Sequence, residues 1–439
     1  MFFANFNIIT QRKTKMFKNN FIKCILLIFA LIFLNCKTYK NVFDFSETLE
    51  SGFYQNQFTG ILVCNPHTND TIFSYNAEKY FTPASNTKIF TLFTALKLLP
   101  ETIPSFKYSE ANDTLTILGT GDPAFLHPVF NDSTALKMAE NYKHVNVLFG
   151  NIEDEKFGPG WAWEDYDTYF SPERSSLPMY GNVVTISNVD SLRIYPKSLF
   201  NNVKLKANRF RRDYNNNVFY YNPLNKNSQE IPVVINSELI AEFWEDLAPN
   251  KISIKAYKGE KLNHIAYSIP SDSLYRRMME VSDNFLAEQM LILASSTLSD
   301  TLSSAKVRKY MLDNYLNDLK QEPRWVDGSG LSRYNLFSPT SFVQVLTKLY
   351  EEIPRERLFN LFPVGGRTGT LKNYYSGETE PYIYAKSGTV GNNYSLSGYL
   401  LTNSGETLIF SFMNNHYRQS THAVKLQMQS FFEALRNQY

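Results

Sequence analysis

One stretch restricts the fold of this chain more than any other: Phe81-Thr82-Pro83-Ala84-Ser85-Asn86-Thr87-Lys88, followed by apolar residues at Ile89, Leu92, Phe93, Leu96 and Leu99. That spacing is helical. Thr82 as N-cap and Pro83 as first helical residue predict the start, which puts Ser85 in the first turn and Lys88 one turn later on the same face. Pro100 and Pro104 close the segment. So apolar a helix has to be buried. Its first backbone N–H groups, which lack intrahelical acceptors, would then point toward the place where an oxyanion could form. Serine is a weak nucleophile unless a base takes its proton. Lys88 can be that base only if it is neutral near physiological pH, and desolvation together with a second nearby cation would lower its pKa enough.

Ser-x-x-Lys alone is cheap, and it occurs twice, at Ser85 and at Ser303. The second copy follows Asp300-Thr301-Leu302 and reads as the solvated start of a helix. Lys386-Ser387-Gly388-Thr389 supplies the second cation on a predicted strand, Tyr382 to Lys386. Gly388 would let that strand approach a ligand closely, and Ser387 and Thr389 carry hydroxyls suited to a substrate carboxylate. Arg367-Thr368-Gly369-Thr370 has a similar shape but follows Gly365-Gly366 without a strand, so it reads as a loop. Helical pattern returns near Ser271 to Ala294, and the third element is Ser282-Asp283-Asn284, just ahead of the helical run Phe285 to Ala294. Another Ser-x-Asn, Ser74-Tyr75-Asn76, falls in a hairpin strand and reads as structural.

Around these elements the chain predicts an α+β layout. Runs at Gly60–Asn65 and Thr71–Asn76 form a hairpin around a polar turn. Runs at Tyr382–Lys386, Leu396–Thr402 and Thr407–Met413 give three antiparallel strands with Asn403-Ser404-Gly405 as a turn, and a helix over Thr421–Arg436 ends the chain. Residues 101–255 show short strand-like runs and Asn-rich turns, so a mostly β insert is expected between a discontinuous domain of residues 37–100 and 256–439. Lys18 and Lys23 precede an apolar run from Cys24 to Leu34 that is too short to cross a bilayer as a stable helix, and residues 1–36 read as a leader. Phe33-Leu34-Asn35-Cys36 resembles a lipoprotein cleavage box, which would make Cys36 the lipidated first residue, although Asn35 stands where a small residue is usual. Export to the periplasm or cell envelope is therefore expected, with a plainly cleaved secretory signal as the alternative to lipidation.

Charge and metal chemistry narrow the function. Forty-four basic against 42 acidic side chains leave a net +2, too little for a nucleic-acid footprint. There is no Cys-x-x-Cys and no His-Glu-x-x-His, and the six histidines show no recognisable ligand spacing. A zinc hydrolase is rejected on these grounds, and neither metal nor cofactor is expected. Two of the three cysteines, Cys24 and Cys36, belong to the leader, which leaves Cys64 and no disulfide framework.

The order Ser-x-x-Lys, Ser-x-Asn, Lys-Ser/Thr-Gly is the motif set of penicillin-binding proteins and class A β-lactamases. With Tyr75-Asn76-Ala77-Glu78-Lys79, Gly119–Pro123, Gly158–Trp161, Trp325-Val326-Asp327-Gly328-Ser329-Gly330-Leu331-Ser332 and Phe362-Pro363-Val364-Gly365-Gly366, the chain resembles the D-alanyl-D-alanine carboxypeptidase/endopeptidases, class C low-molecular-mass penicillin-binding proteins, from about residue 45 onward. The resemblance implies a penicillin-recognising, serine transpeptidase/β-lactamase-like α+β domain interrupted by an insert. It implies Ser85 as acyl-forming nucleophile, Lys88 as general base, Ser282 as proton relay to the leaving amine, and Asn284 as holder of the peptide amide. Lys386, Ser387 and Thr389 would position the terminal carboxylate, and the N–H groups of Ser85 and Thr389 would form the oxyanion hole. Partners would be peptidoglycan peptides and β-lactam antibiotics acting as covalent inhibitors, with contact to a membrane only through a lipid anchor. The gap from Lys88 to Ser282 is short for that family, which leaves the insert's boundaries and role open. A β-lactamase, or a non-catalytic penicillin- or peptidoglycan-binding lipoprotein, are the alternative readings.

Overall fold

The computed structural model describes residues 44–248 and 251–439, so the leader and Cys36 lie outside the described residues. Strands from the two ends of the chain share one five-stranded antiparallel sheet, in the order Ile383–Val390, Asn393–Leu401, Thr407–Asn415, Phe58–Cys64 and Thr71–Tyr75. Thr407–Asn415 is buried at every position, because it pairs on both edges and is covered on both faces. The strand that carries the Lys-Ser-Gly-Thr element is longer than its apolar run predicts. It continues through Val390, so the whole motif is paired, with Lys386 opposite Ser397 and Thr389 opposite Tyr394.

The helix Lys88–Leu98 lies against helices Asn284–Ser295 and Pro339–Glu352. Phe90 sits at the centre of this layer, edge-on to Trp325 (5.5 Å), Phe337 (4.8 Å) and Phe342 (5.6 Å) between ring centroids. The helical pattern near Ser271–Ala294 divides into two helices, Ser271–Glu280 and Asn284–Ser295, with Ser282 and Asp283 just ahead of the second. Asp283 causes the break: its side chain accepts the N–H of Leu286 (3.0 Å) and caps the second helix, while Ser282 takes φ +61°. Ser282 is thereby lifted out of a helix and placed at a turn.

Between these elements lies a second core. A mixed sheet runs in the order Ile252–Ala256, His144–Phe149, Thr114–Gly119, Thr102–Ala111 and His264–Pro270, so its pairing continues past residue 255. A small sheet joins Gln229–Pro232, Val183–Ser187 and Arg193–Tyr195. The region is less purely β than its turn-rich sequence suggests. Helix Ser237–Leu247, capped by Asn236 accepting from Leu239 N (2.9 Å), buries Leu239, Ile240, Phe243 and Trp244 at three- and four-residue spacing.

Phe90→Ala should leave a cavity between three rings and lower the unfolding free energy by about 3–5 kcal/mol, read as a shift of the denaturant midpoint at unchanged slope.

Candidate active site

The turn that carries Ser85 is tighter than a regular helix start. Residues Ala84–Thr87 form one 3-10 turn before the α-helix begins at Lys88. Thr82 does not cap it, which corrects the expected N-cap. Its N–H donates to Asn415 Oδ1 (2.7 Å) and its carbonyl accepts from Asn415 Nδ2 (3.1 Å), so a side chain of the central sheet clasps the turn's entry. Two glycines set the turn's position. A Cβ on Gly388 would lie 2.8 Å from Ser85 N and 2.6 Å from Pro83 O, and a Cβ on Gly330 (φ +81°) would lie 1.9 Å from Ala84 O. Gly388 thus brings its strand against the backbone of Ser85 itself.

Lys88 is fully buried, and its Nζ has three neighbours: Asn284 Oδ1 at 2.7 Å, the Ser329 carbonyl at 2.7 Å and Ser85 Oγ at 3.0 Å. A neutral amine carries two N–H donors and one lone pair. The two carbonyl-type oxygens can only accept, so they take both donors and leave the lone pair for the Ser85 hydroxyl. Burial brings the Lys88 pKa down to about 8, opposed by the negative charges of Asp327, Asp283 and Glu288. The second cation acts differently from expectation. Lys386, also fully buried, is held well below the ordinary lysine range by burial and then by the charge of Lys88, so the repulsion between the two amines falls on Lys386. Its Nζ donates to Ser282 Oγ (2.9 Å) and to the Ser387 carbonyl (2.6 Å).

All eight candidate residues of the three motifs meet here. Ser85, Ser282, Asn284, Ser387 and Thr389 line one cleft of about 790 Å³, Lys88 and Lys386 lie beneath it, and Gly388 backs it. Sequence reasoning missed Thr370. It belongs to the Arg-Thr-Gly-Thr loop set aside as a decoy, yet its Oγ1 accepts the Ser387 hydroxyl (2.7 Å) and its side chain lines the cleft. The intervening region closes the opposite wall through Asp165, Tyr169, Phe170 and Glu230, and the Phe170 carbonyl accepts from Asn284 Nδ2 (3.0 Å). The other motif copies lie apart. Ser303 caps the helix Ser304–Asn314, Lys306 pairs with exposed Glu153, and Asn76 donates to the Thr59 carbonyl.

A buried charged layer lies behind Lys88. Glu288 Oε1 accepts the Ser329 N–H (2.7 Å), so one peptide unit's neighbour, Ser329, bridges a carboxylate on its N–H and the candidate base on its carbonyl. Glu288 Oε2 faces Arg174 Nη1 (3.5 Å), which also faces Asp154 (3.3 Å). Asp327 folds the Asp-Gly-Ser-Gly-Leu-Ser loop around itself, accepting from Gly330 N, Ser332 N and Asn335 Nδ2, and from Trp161 Nε1 (3.0 Å) across the interface. Burial and the charge of Asp327 push the Glu288 carboxyl up. Among the described residues, no group of three His, Cys, Asp or Glu side chains could hold a metal ion.

Acylation of Ser85 should therefore accelerate as pH rises through about 8 and fall about tenfold per pH unit below it, as the neutral fraction of Lys88 falls. Glu288→Gln removes a negative charge that favours the Lys88 cation. It should move that limb of the pH profile to lower pH, which a labelled penicillin assay across pH would read.

Comparison with known proteins gives matching results. The sequence profile of the D-Ala-D-Ala carboxypeptidase 3 (S13) family matches residues 44–194 and 251–435. The D-alanyl-D-alanine carboxypeptidase DacB of Haemophilus influenzae is 22% identical over 467 aligned positions, covering 91% of this chain and 93% of that protein. The penicillin-sensitive carboxypeptidase A of Dictyostelium discoideum is 23% identical and covers 81% of this chain and 82% of its own. Among solved structures, penicillin binding protein 4 (dacB) from Haemophilus influenzae superposes with a TM-score of 0.70 at 19% identity, covering 89% of this chain and 99% of that one.

Proposed function

Since the chain belongs to the D-Ala-D-Ala carboxypeptidase 3 (S13) family, we propose that it is a serine D,D-peptidase that hydrolyses D-Ala-D-Ala ends or D,D-crosslinks of peptidoglycan through an acyl-enzyme on Ser85. The observation that carries this reading is the Lys88 amine with both N–H donors engaged and its lone pair left to Ser85 Oγ at 3.0 Å. Lys88 takes the hydroxyl proton as Oγ bonds to the scissile carbonyl carbon. The oxyanion is received by the N–H groups of Ser85 and Thr389. As the C–N bond breaks, the proton held by Lys88 passes to the leaving amine through Ser282, whose hydroxyl is held by Lys386, and Lys88 becomes neutral again. Asn284 holds the substrate amide, and Lys386 with the Ser387 and Thr389 hydroxyls holds the terminal carboxylate. Water then attacks the ester with Lys88 again as base, releasing the shortened peptide and restoring Ser85.

β-Lactams would enter as covalent inhibitors by the same acylation, a reading supported by the penicillin sensitivity in one relative's name. Export is part of the proposal, since the substrate lies outside the cytoplasm. Among the described residues, no helix is long and apolar enough to cross a membrane. Attachment would come from a lipid on Cys36. Cys36→Ser should move the protein from the detergent phase to the aqueous phase on partitioning; unchanged partitioning would remove the anchor from the proposal.

Labelled penicillin should modify the wild type and leave Ser85→Ala unlabelled. D-Alanine release from a pentapeptide muropeptide should fall by about 10,000-fold in that variant. Labelling that persists in Ser85→Ala would assign the nucleophile elsewhere. Turnover of penicillin instead of a lasting adduct would point to a β-lactamase, and labelling without release of D-alanine would point to a penicillin- or peptidoglycan-binding protein.

A further inference from the structure

Beside the catalytic cleft lies a second pocket of about 490 Å³ that the proposed chemistry does not use. The two share Asp165 and abut along the strand Gln229–Pro232, where Gln229 lines the outer pocket and Glu230 the cleft. One short segment builds both walls. Trp163 and Asp167 face the outer pocket, Tyr169 and Phe170 the cleft, and the Phe170 carbonyl holds the amide of Asn284. Anything extending from the cleft on this side would therefore pass directly into the outer pocket.

The lining has an uneven chemistry. Trp163 is 69% exposed, a large indole left open to solvent. Around it stand the Phe210 and Tyr220 rings, the Glu164 and Asp165 carboxylates, the Asn222 and Gln229 amides and the Arg209 guanidinium, which lies 5.1 Å over the Phe210 ring. The base is preset: Asp167 is buried and accepts the Arg211 backbone N–H at 2.5 Å, which pins the 207–211 loop against the Trp163 segment. An exposed indole face beside further rings, carboxylates, amides and a guanidinium suits a pyranose, whose C–H face packs on an aromatic ring while its edge hydroxyls and acetamido group need hydrogen-bond donors and acceptors.

We propose that this pocket is a saccharide subsite that takes an amino sugar of the glycan strand bearing the peptide under cleavage. The proposal rests on the peptidase reading, because only a glycan-linked substrate presents a sugar here.

Trp163→Ala, tested on a stem peptide with and without its disaccharide, should raise the apparent KM about tenfold for the glycan-linked form. The sugar-free peptide and the rate of penicillin acylation should stay within about twofold of wild type. Equal losses on both substrates, or no change on the glycan-linked one, would overturn the subsite. A second measurement stands apart from catalysis: peptide-free glycan oligosaccharide titrated into the Ser85→Ala protein should change tryptophan emission, and the change should vanish in Ser85→Ala/Trp163→Phe. Absence of saturable binding would refute the proposal even in an active enzyme. Failure of the peptidase reading would show separately, as a wild type that neither labels with penicillin nor releases D-alanine.

Discussion

The site depends on removing one amine from water and fixing where its hydrogens go. A lysine ammonium in the interior costs several kcal/mol unless it is compensated, and here burial brings the Lys88 pKa down to about 8, so that a neutral fraction is available near neutral pH. Burial alone would leave the direction of the lone pair open. The Asn284 amide oxygen and the Ser329 carbonyl fix it by occupying both N–H groups. These contacts come from residues 196 and 241 positions away in sequence, so the chemistry exists only when the chain has closed on itself.

The intervening region takes part in that closure. Among the contacts that cross from it into the catalytic layer, three stand next to the candidate site: the Phe170 carbonyl on Asn284, Arg174 on Glu288, and the Trp161 indole on Asp327. Two of them meet charged groups that are almost completely buried, where an unpaired partner would be costly. The region is therefore a structural support of the site as well as a wall of its cleft.

Much of this was legible in the sequence because the decisive signals are local. The pattern after Lys88, the hairpin near the start, the alternating strands near the end and the three short motifs each follow from periodicity or side-chain chemistry within a few residues. What escaped is set by contacts across the fold. Thr370 matters because its loop lies against Ser387, and Glu288 because Ser329 arrives beside it; nothing adjacent to either residue indicates this. Thr82 does not cap the turn, and its backbone is instead clasped by Asn415, 333 residues away. The helix that follows Ser282-Asp283 was readable from the apolar run Phe285 to Ala294. The helix Ser237–Leu247 was readable in principle, since Leu239, Ile240, Phe243 and Trp244 carry a helical stripe, but Asn-rich surroundings hid it.

The glycines on either side of the nucleophile turn carry a lasting consequence. With backbone packed against backbone at Gly388 and Gly330, that half of the catalytic centre has no slack, and even a methyl group would displace it. Diversification toward new wall chemistries must then occur on the facing loops, where side chains can change without disturbing the reacting hydroxyl. An inhibitor built to grip the glycine side would meet a surface with no room for added side-chain atoms, whereas one that gains affinity from the loops would be easier to escape by mutation.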